Sequence, residues 1–229
     1  MAGFDGFPND TFRFLKALAQ NNNRSWFAEN RARYESAYLE PSLALIEAME
    51  KPLAKAAPLL VAQPRKSGGS LMRIYKDTRF SKDKTPYNTN IGIHFRHAAG
   101  KDVHAPGVYL HIATDECFLG AGIWRAPSDA LRSIREYIAE NPEQWKRSCR
   151  GKRFRDSYEL YDDRLRSAPR GYAKDHPLIE DLRLKSFIGT SYLKKQLVCS
   201  QELVPELERM IRQARPLMRF LCEALNQPY

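Results

Sequence analysis

Cysteine is scarce in this sequence, and long apolar runs are missing. Its four cysteines are far apart in 229 residues and form no CxxC pair, which argues against a zinc site of paired cysteines and against a disulfide framework. No apolar stretch approaches the ~20 residues of a membrane-spanning helix, and the first residues lack the basic and apolar segments of a signal peptide. We therefore expect a cytoplasmic protein with no membrane association.

The motifs of common enzyme classes are missing as well. The chain has no GxxxxGK[ST], GxGxxG or GxSxG, although the basic turn RKSGGS at 65–70 has glycines that would let a backbone approach a phosphate. His94 and His97 point to opposite sides of a predicted strand, and no carboxylate is clearly placed with His94 and His111, so no metal site is predicted. We predict no cofactor, and an enzymatic role stays open.

Acidic residues are outnumbered, with 27 Asp and Glu against 37 Lys and Arg and a formal charge of +10. This balance favours anionic partners such as nucleic acid or a phosphorylated metabolite. A basic cluster between 145 and 155 would be the nucleic-acid surface, and the alternative is an ordinary solvated surface. Its cations are Lys146, Arg147, Arg150, Lys152, Arg153 and Arg155.

Hydrophobic periodicity predicts strands between helical segments. Period-two alternation predicts four strands, at 71–76, 91–97, 107–113 and 116–124. Helical spacing and helix-start signals predict helices over 9–20, 24–40, 127–141 and 175–187, and from 200 or 205 to 225. This order indicates an α+β fold with an antiparallel or mixed sheet of about four or more strands, flanked by N-terminal and C-terminal helices. We predict a single domain over 1–229.

Alternation along the predicted strands sorts their residues onto two faces. One is an apolar core face that includes Met72, Ile74, Ile93 and Leu110. The other face suits a flat, anionic ligand, because arginine binds phosphate, aromatic rings stack, histidine exchanges protons and glycine leaves room. Its members are Arg73, Tyr75, Gly92, His94, Arg96, Tyr109, His111, Phe118, Gly120, Gly122 and Trp124. The alternative is that helices cover this face and its aromatic residues form a second core layer.

The segment KDTRFSKDKTPYNTN, between the first two predicted strands, alternates in charge. In one interpretation Arg73, Arg79 and Lys84 clamp an anion. Tyr87 then donates a hydrogen bond to that anion, and Asp77 orients an arginine. In the other interpretation Asp77 pairs with Arg79, and Asp83 pairs with Lys82 and Lys84, and these ion pairs brace the loop.

The leading hypothesis is therefore a protein that binds a small phosphate- or nucleotide-like anion on the Arg/His/Tyr face. His94 and His111 are its candidate catalytic residues, for proton transfer. The predicted ligand contacts are Arg73, Tyr75, Asp77, Arg79, Lys84, Tyr87, Tyr109 and Trp124. The alternatives are a nucleic-acid-binding module that uses the basic cluster, and a structural or partner-binding protein.

The run RIYKDTRFSKDKTPYNTNIGIHF resembles the signature of a conserved-hypothetical family of bacterial and fungal proteins, catalogued as a domain of unknown function. FLKALAQNNNRSWFAENRARYE, GAGIWRAPSDALRSIR and DHPLIEDLRLKSF are similar to other parts of the same family. The resemblance covers nearly the whole chain and implies one family domain with an α+β fold. It implies no activity, cofactor or catalytic residue.

Overall fold

The structure, a computed structural model, describes residues 4–99 and 105–229. Helices before the sheet are α1 (Asn9–Gln20), α2 (Arg24–Glu29), α3 (Arg31–Tyr34), a π-helical turn (Glu35–Leu39), α4 (Glu40–Ala48) and α5 (Glu50–Ala56). The strands are β1 (Leu60–Val61), β2 (Ile91–His97), β3 (Gly107–Ile112), β4 (Cys117–Ile123), β5 (Glu159–Leu160) and β6 (Phe187–Tyr192). The later helices are α6 (Ser128–Glu140), α7 (Pro142–Arg150), α8 (Lys152–Arg155), α9 (Ile179–Leu182), α10 (Lys195–Val198) and α11 (Leu203–Ala224). Among the described residues, no helix is both long and apolar enough to cross a bilayer.

Within the described residues, six strands form one sheet in the order β1-β2-β3-β4-β6-β5, and every neighbouring pair is antiparallel. The predicted strands 91–97, 107–113 and 116–124 are confirmed as β2, β3 and β4. Helices precede and follow the sheet, which confirms the predicted α+β class with helices at both ends.

The predicted strand 71–76 is wrong. Leu71 bridges Ile93, whereas Tyr75 bridges Tyr87, so the segment changes partner before a continuous ladder can form. Met72 was predicted on the core face and is instead exposed. Period-two alternation predicts an extended backbone here. It does not reveal that this segment forms two isolated bridges, to Ile93 and to Tyr87, instead of a continuous strand.

The predicted helix over 175–187 is largely wrong. Only α9 is helical in this stretch, and Phe187 already begins β6, which pairs with β4 along its whole length. The helix predicted over 24–40 is divided at Asn30 and contains the π-helical turn. Tertiary pairing with β4 and local helix breaks override the sequence periodicity at these places.

The helices pack on one face of the sheet. α11 packs against β4 and against α5 and α7, and its helically spaced Leu207, Ile211 and Leu221 are buried. The strands direct every second residue toward this layer, and Phe95 and Leu110 are fully buried there. Each apolar residue that points inward leaves its strand neighbour on the opposite face.

Asn22 ties the helical layer to the segment that precedes β2. Its Nδ2 donates to the carbonyl oxygen of Tyr87 at 2.9 Å, and the Tyr87 backbone N–H donates to its Oδ1 at 3.1 Å. The side-chain amide therefore acts toward Tyr87 as a neighbouring strand would. This clamp fixes the segment between the turn at Pro86 and the start of β2.

Replacing Asn22 should destabilise the protein more than replacing its neighbour. Asn22→Ala leaves two backbone groups of a buried residue without these partners, and we expect a loss of about 1–3 kcal/mol in the free energy of unfolding, measured by denaturant titration. Asn21→Ala is the matched control, because the Asn21 amide donates only to the Ala17 carbonyl at an exposed helix end. Equal losses of unfolding free energy in the two variants would show that the Asn22–Tyr87 hydrogen bonds contribute no more than a helix cap.

Candidate functional site

The strand register arranges the outward-facing residues in three rows across β2, β3, β4 and β6. The first row holds Gly107, Gly122 and Ile188, with Arg96 at its β2 end; the second holds His94, Tyr109, Gly120 and Thr190; the third holds Gly92, His111, Phe118 and Tyr192. We call this surface the open face. His94, Tyr109, His111 and Phe118 are partly exposed on it, and Arg96 and Tyr192 are exposed. This exposure argues against the alternative in which helices bury these residues as a second core layer.

Aromatic rings line the third row. The His111 and Phe118 rings are stacked, with centroids 4.8 Å apart and an angle of 12° between their planes. The Phe118 and Tyr192 rings meet edge to face at 6.2 Å, and Tyr192 is 71% exposed. We call His111, Phe118 and Tyr192 the aromatic row. A row of accessible rings on a sheet offers faces on which another flat ring can stack.

Two glycines let large side chains lie across neighbouring strands. A Cβ on Gly92 would come within 2.9 Å of the Tyr109 hydroxyl and 3.0 Å of the Met72 sulfur. A Cβ on Gly107 would come within 2.5 Å of Nε2 of His94. Larger residues at these two positions would displace the Tyr109 and His94 rings, so the glycines determine where both rings lie.

Tyr109 and His111 form a hydrogen-bonded pair. The Tyr109 hydroxyl lies 3.2 Å from Nδ1 of His111, and Nδ2 of Asn90 lies 3.5 Å from each of these atoms. Burial lowers the pKa of His111, and nearby Glu116 opposes this shift; burial also raises the pKa of Tyr109. Both groups are therefore neutral at pH 7, and the hydroxyl can donate to the unprotonated ring nitrogen.

His94 positions Arg96. The Nε–H of Arg96 donates to Nδ1 of His94 at 3.3 Å. Burial, and secondly the charge of Arg96, lowers the pKa of His94 to about 4. The imidazole is then neutral at pH 7 and accepts this hydrogen bond, which orients the Arg96 guanidinium without offsetting its charge.

A cavity of about 150 Å³ lies beside this pair, at the β1 edge of the sheet. It is lined by Val61, Gln63, Gly68, Gly69, Ser70, His94, Arg96, His97 and Ala98. Its volume far exceeds the roughly 10–15 Å³ that one water molecule needs. The cavity therefore brings the glycine turn at 65–70 next to the Arg96 cation, an arrangement that suits a phosphate-sized anion.

Charged side chains hold residues 77–85, which we call the 77–85 loop. Arg79 donates from Nε and Nη2 to the two carboxylate oxygens of Asp77, at 2.9 and 2.6 Å. Lys76 donates to the Asp83 carboxylate at 2.7 Å. These hydrogen bonds are the main cause of the lowered pKa of both aspartates. Both carboxylates are therefore ionised at neutral pH, and both pairs persist there.

The remaining cations of the predicted clamp differ in their contacts. Lys84 donates from Nζ to the Thr78 carbonyl at 2.9 Å. Arg73 is exposed, and its carbonyl accepts from the Asn88 side chain at 3.1 Å. Two of the three predicted clamp cations, Arg79 and Lys84, are thus bonded within the 77–85 loop, which favours the brace interpretation. A ligand contact from these three residues stays a prediction.

The two tyrosines that were predicted as ligand contacts near this loop occupy different environments. Tyr87 is 3% exposed, and its ring stacks on Phe27 with centroids 4.2 Å apart. Tyr75 is 53% exposed and lies 5.3 Å from the Tyr87 ring. Tyr87 therefore packs the loop onto the helices, whereas Tyr75 presents an accessible ring.

Trp124 lies beyond the end of β4, at the opposite end of this strand from Phe118. Its ring is 52% exposed and lies 5.0 Å from the Tyr161 ring, with the Arg125 guanidinium 5.5 Å from its centroid. The Tyr161 backbone N–H donates to the Ile188 carbonyl, which continues the first row. We call Trp124 and Tyr161 the edge pair. It is a second place on the open face where rings are accessible.

The basic cluster predicted for nucleic acid lies on α7 and α8, in the helical part of the chain. Three of its cations are paired with carboxylates: Lys146 with Glu143, Arg150 with Asp181 and Lys152 with Asp156. This pairing reduces the positive charge that the cluster offers to a polyanion. Within residues 4–99 and 105–229, no group of three or more His, Cys, Asp or Glu is placed to hold a metal ion.

Several residues of this surface were not among the predicted ligand contacts. Arg96 and Phe118 were on the predicted face, and only the structure shows that their side chains are accessible. Asn90 precedes β2, where alternation gives no signal. Tyr192 belongs to β6, for which no strand was predicted, although the alternation of FIGTSY could have indicated one.

Comparisons with known proteins identify a family but no individual relative. The model of the family described as Conserved hypothetical protein (DUF2461) matches residues 10–220. No curated protein and no solved structure matches the chain. The match covers the helices, the sheet and most of α11.

Acidification should destabilise the fold through His94. In the unfolded chain His94 has its ordinary pKa of 6.5 and is protonated below that pH. In the folded protein the same imidazole stays neutral until the pH falls to about 4. The free energy of unfolding therefore falls as the pH drops from 6.5 to 4, by up to about 3 kcal/mol from this residue. Denaturant titrations at several pH values should show a smaller fall in His94→Asn, with the part due to His111 remaining.

His176→Asn is the control, because His176 lies outside the sheet. This variant should keep the part of the fall in unfolding free energy between pH 6.5 and 4 that His94 causes. A His94→Asn profile that also runs parallel to the wild type would contradict the burial of a neutral imidazole at this position.

Proposed function

The chain belongs to the family described as Conserved hypothetical protein (DUF2461), and from the geometry of its sheet we propose that it binds a small anionic ligand that carries a flat ring. The ligand lies on the open face, with its anionic group at Arg96 and its ring on the aromatic row. A phosphorylated, nucleotide-like compound has this combination of groups.

The observation that carries the proposal is the presence of an arginine-lined cavity and accessible stacked rings on one sheet face. Arg96 and Gly92 are four residues apart on β2, which corresponds to ~13 Å of strand, and His111 is the register partner of Gly92. A ligand that spans from the cavity to the aromatic row therefore contacts all three rows. The cation end and the ring end of the site are distinct, so the ligand has one orientation.

Each end of the site contributes a recognisable interaction. The Arg96 guanidinium supplies charge-assisted hydrogen bonds, and the cavity beside it places the backbone of Gly68 and Gly69 near the anion. The aromatic row supplies stacking, which is worth ~1–3 kcal/mol per base in nucleic-acid sites.

Proton transfer is the chemistry that this arrangement supports. Neutral His111 accepts a proton and the Tyr109 hydroxyl donates one, and the two are already hydrogen bonded. His94, the other predicted proton-transfer residue, is engaged with Arg96 and acts in this proposal by orienting that cation. The proposal assigns binding, and a reaction would use the Tyr109–His111 pair.

Two other predicted surfaces are separate places where an anion would bind. The first consists of Arg73, Arg79 and Lys84, and the second is the basic cluster on α7 and α8. Both present cations that are partly paired, whereas the Arg96 guanidinium is held by a neutral imidazole. We also propose a cytosolic location, consistent with the four free cysteines, three of which are buried.

Arg96→Gln should weaken the binding of phosphorylated ligands. We would titrate nucleoside 5′-monophosphates and the matching nucleosides by calorimetry, after a thermal-shift screen of the same compounds. Loss of charge-assisted hydrogen bonds to phosphate should reduce monophosphate affinity about 10- to 100-fold and leave nucleoside affinity unchanged. Phe118→Ala should weaken both, because both stack.

Arg132→Gln is the matched control, since Arg132 is an exposed arginine on α6 in the helical layer. Arg79→Gln separates the 77–85 loop from the open face. A loss of monophosphate binding in Arg79→Gln with none in Arg96→Gln would place the anion on the loop and refute the assignment to Arg96. Absence of any monophosphate binding to the wild type would favour a structural or partner-binding role.

A further inference from the structure

The open face is longer than one nucleotide-sized ligand needs. Phe118 and Trp124 are six residues apart along the β4 chain, which corresponds to ~20 Å. The aromatic row stands at one end of this distance and the edge pair at the other. A ligand that fills the cavity and the aromatic row leaves the edge pair unused.

Along β4, the outward-facing positions between the aromatic row and the edge pair carry no side chain. Gly120 and Gly122 carry no side chain, and their register partners on β6 are Thr190 and Ile188. A Cβ on Gly120 would meet only ordinary van der Waals contacts, the nearest at 3.6 Å from Ile188. Gly120 and Gly122 are themselves buried, so the partly exposed Ile188 and Thr190 on β6 form the surface between the accessible rings at the two ends.

Cations lie at the end that holds the edge pair. The Arg125 guanidinium lies 5.5 Å from the centroid of the Trp124 ring, and Arg96 stands at the β2 end of the first row. Glu159 pairs with Thr190 at the β5 end of the second row, two residues before Tyr161. An acidic group therefore adjoins the edge pair on the side away from Arg96. A chain of negative charges would pass between Arg96 and the edge pair.

We propose that the open face binds single-stranded nucleic acid, with one base on the aromatic row, another on the edge pair and the intervening backbone near Arg96 and Arg125. This inference rests on the proposed function and specifies its ligand as an oligomer of the same ring-bearing anion. Exposed rings on a sheet, combined with nearby cations, are the physical basis of single-strand recognition in general. The formal charge of +10 favours a polyanion over a neutral polymer such as an oligosaccharide.

Oligothymidylates of two and six residues test the length of the site. By fluorescence anisotropy at fixed salt, the hexamer should bind at least tenfold more tightly than the dimer, because only the hexamer reaches both the aromatic row and the edge pair. Trp124→Ala should weaken hexamer binding roughly 5- to 100-fold, as expected for one lost stacked base, and leave dimer binding unchanged. Phe118→Ala should weaken both.

Phe80→Ala is the matched control, because Phe80 is a 96% exposed ring on the 77–85 loop. It should leave both affinities unchanged, and circular dichroism checks that all three variants are folded. Equal binding of dimer and hexamer, an effect of Phe80→Ala equal to that of Trp124→Ala, or equally tight binding of a duplex would overturn the inference. If monophosphates bind through Arg96 and the hexamer binds no better, the oligomer inference fails and the proposed function stands.

Discussion

The arrangement of the open face depends on the antiparallel pairing of β2, β3, β4 and β6 above one helical layer. Burial of Phe95, Leu110 and their equivalents against the helices fixes the register, because a slip of one residue would turn apolar side chains to water. Once the register is fixed, the intervening residues must face outward in cross-strand rows. The histidines, Tyr109 and Phe118 therefore come together as a geometric consequence of core packing.

The segment before β2 shows how neighbouring charges can serve stability instead of binding. Its most conspicuous residues in the sequence are the cations and aspartates of the 77–85 loop. In the structure Arg79 pairs with Asp77, Asp83 pairs with Lys76 just before the loop, and Lys84 donates to the Thr78 carbonyl. Asn22 and the Tyr87–Phe27 stack attach the following residues to the helices. The cation beside the cavity lies instead on β2, at Arg96, in a stretch with little charge. Charge density along a sequence therefore does not identify the cation that remains available to a ligand.

Three central strands and the assignment of their two faces could be predicted from the sequence, because alternation over seven residues is a strong and purely local signal. β6 was not predicted, although FIGTSY alternates, because the helix signals of the preceding DHPLIEDLRLKSF extend to its first residue, Phe187. Only the pairing with β4 shows where the strand begins. The pair of Arg79 with Asp77 was predicted in the brace interpretation, whereas Asp83 was assigned to Lys82 and Lys84 and instead pairs with Lys76. Sequence proximity allows several pairings among alternating charges, and only the backbone path of the loop selects one.

The neutral state of His94 connects the stability of the sheet to the charge of the site. Burial under the Gly107 position excludes a proton from this imidazole, and the Arg96 charge adds to that exclusion. A protonated His94 could no longer accept the Arg96 hydrogen bond and would place two cations side by side. The fold therefore keeps a single charge at this position, supported by a neutral acceptor that fixes its direction. An anion that reaches Arg96 meets a guanidinium that is oriented and uncompensated by His94, which is the condition for a strong charge-assisted contact at a partly exposed surface.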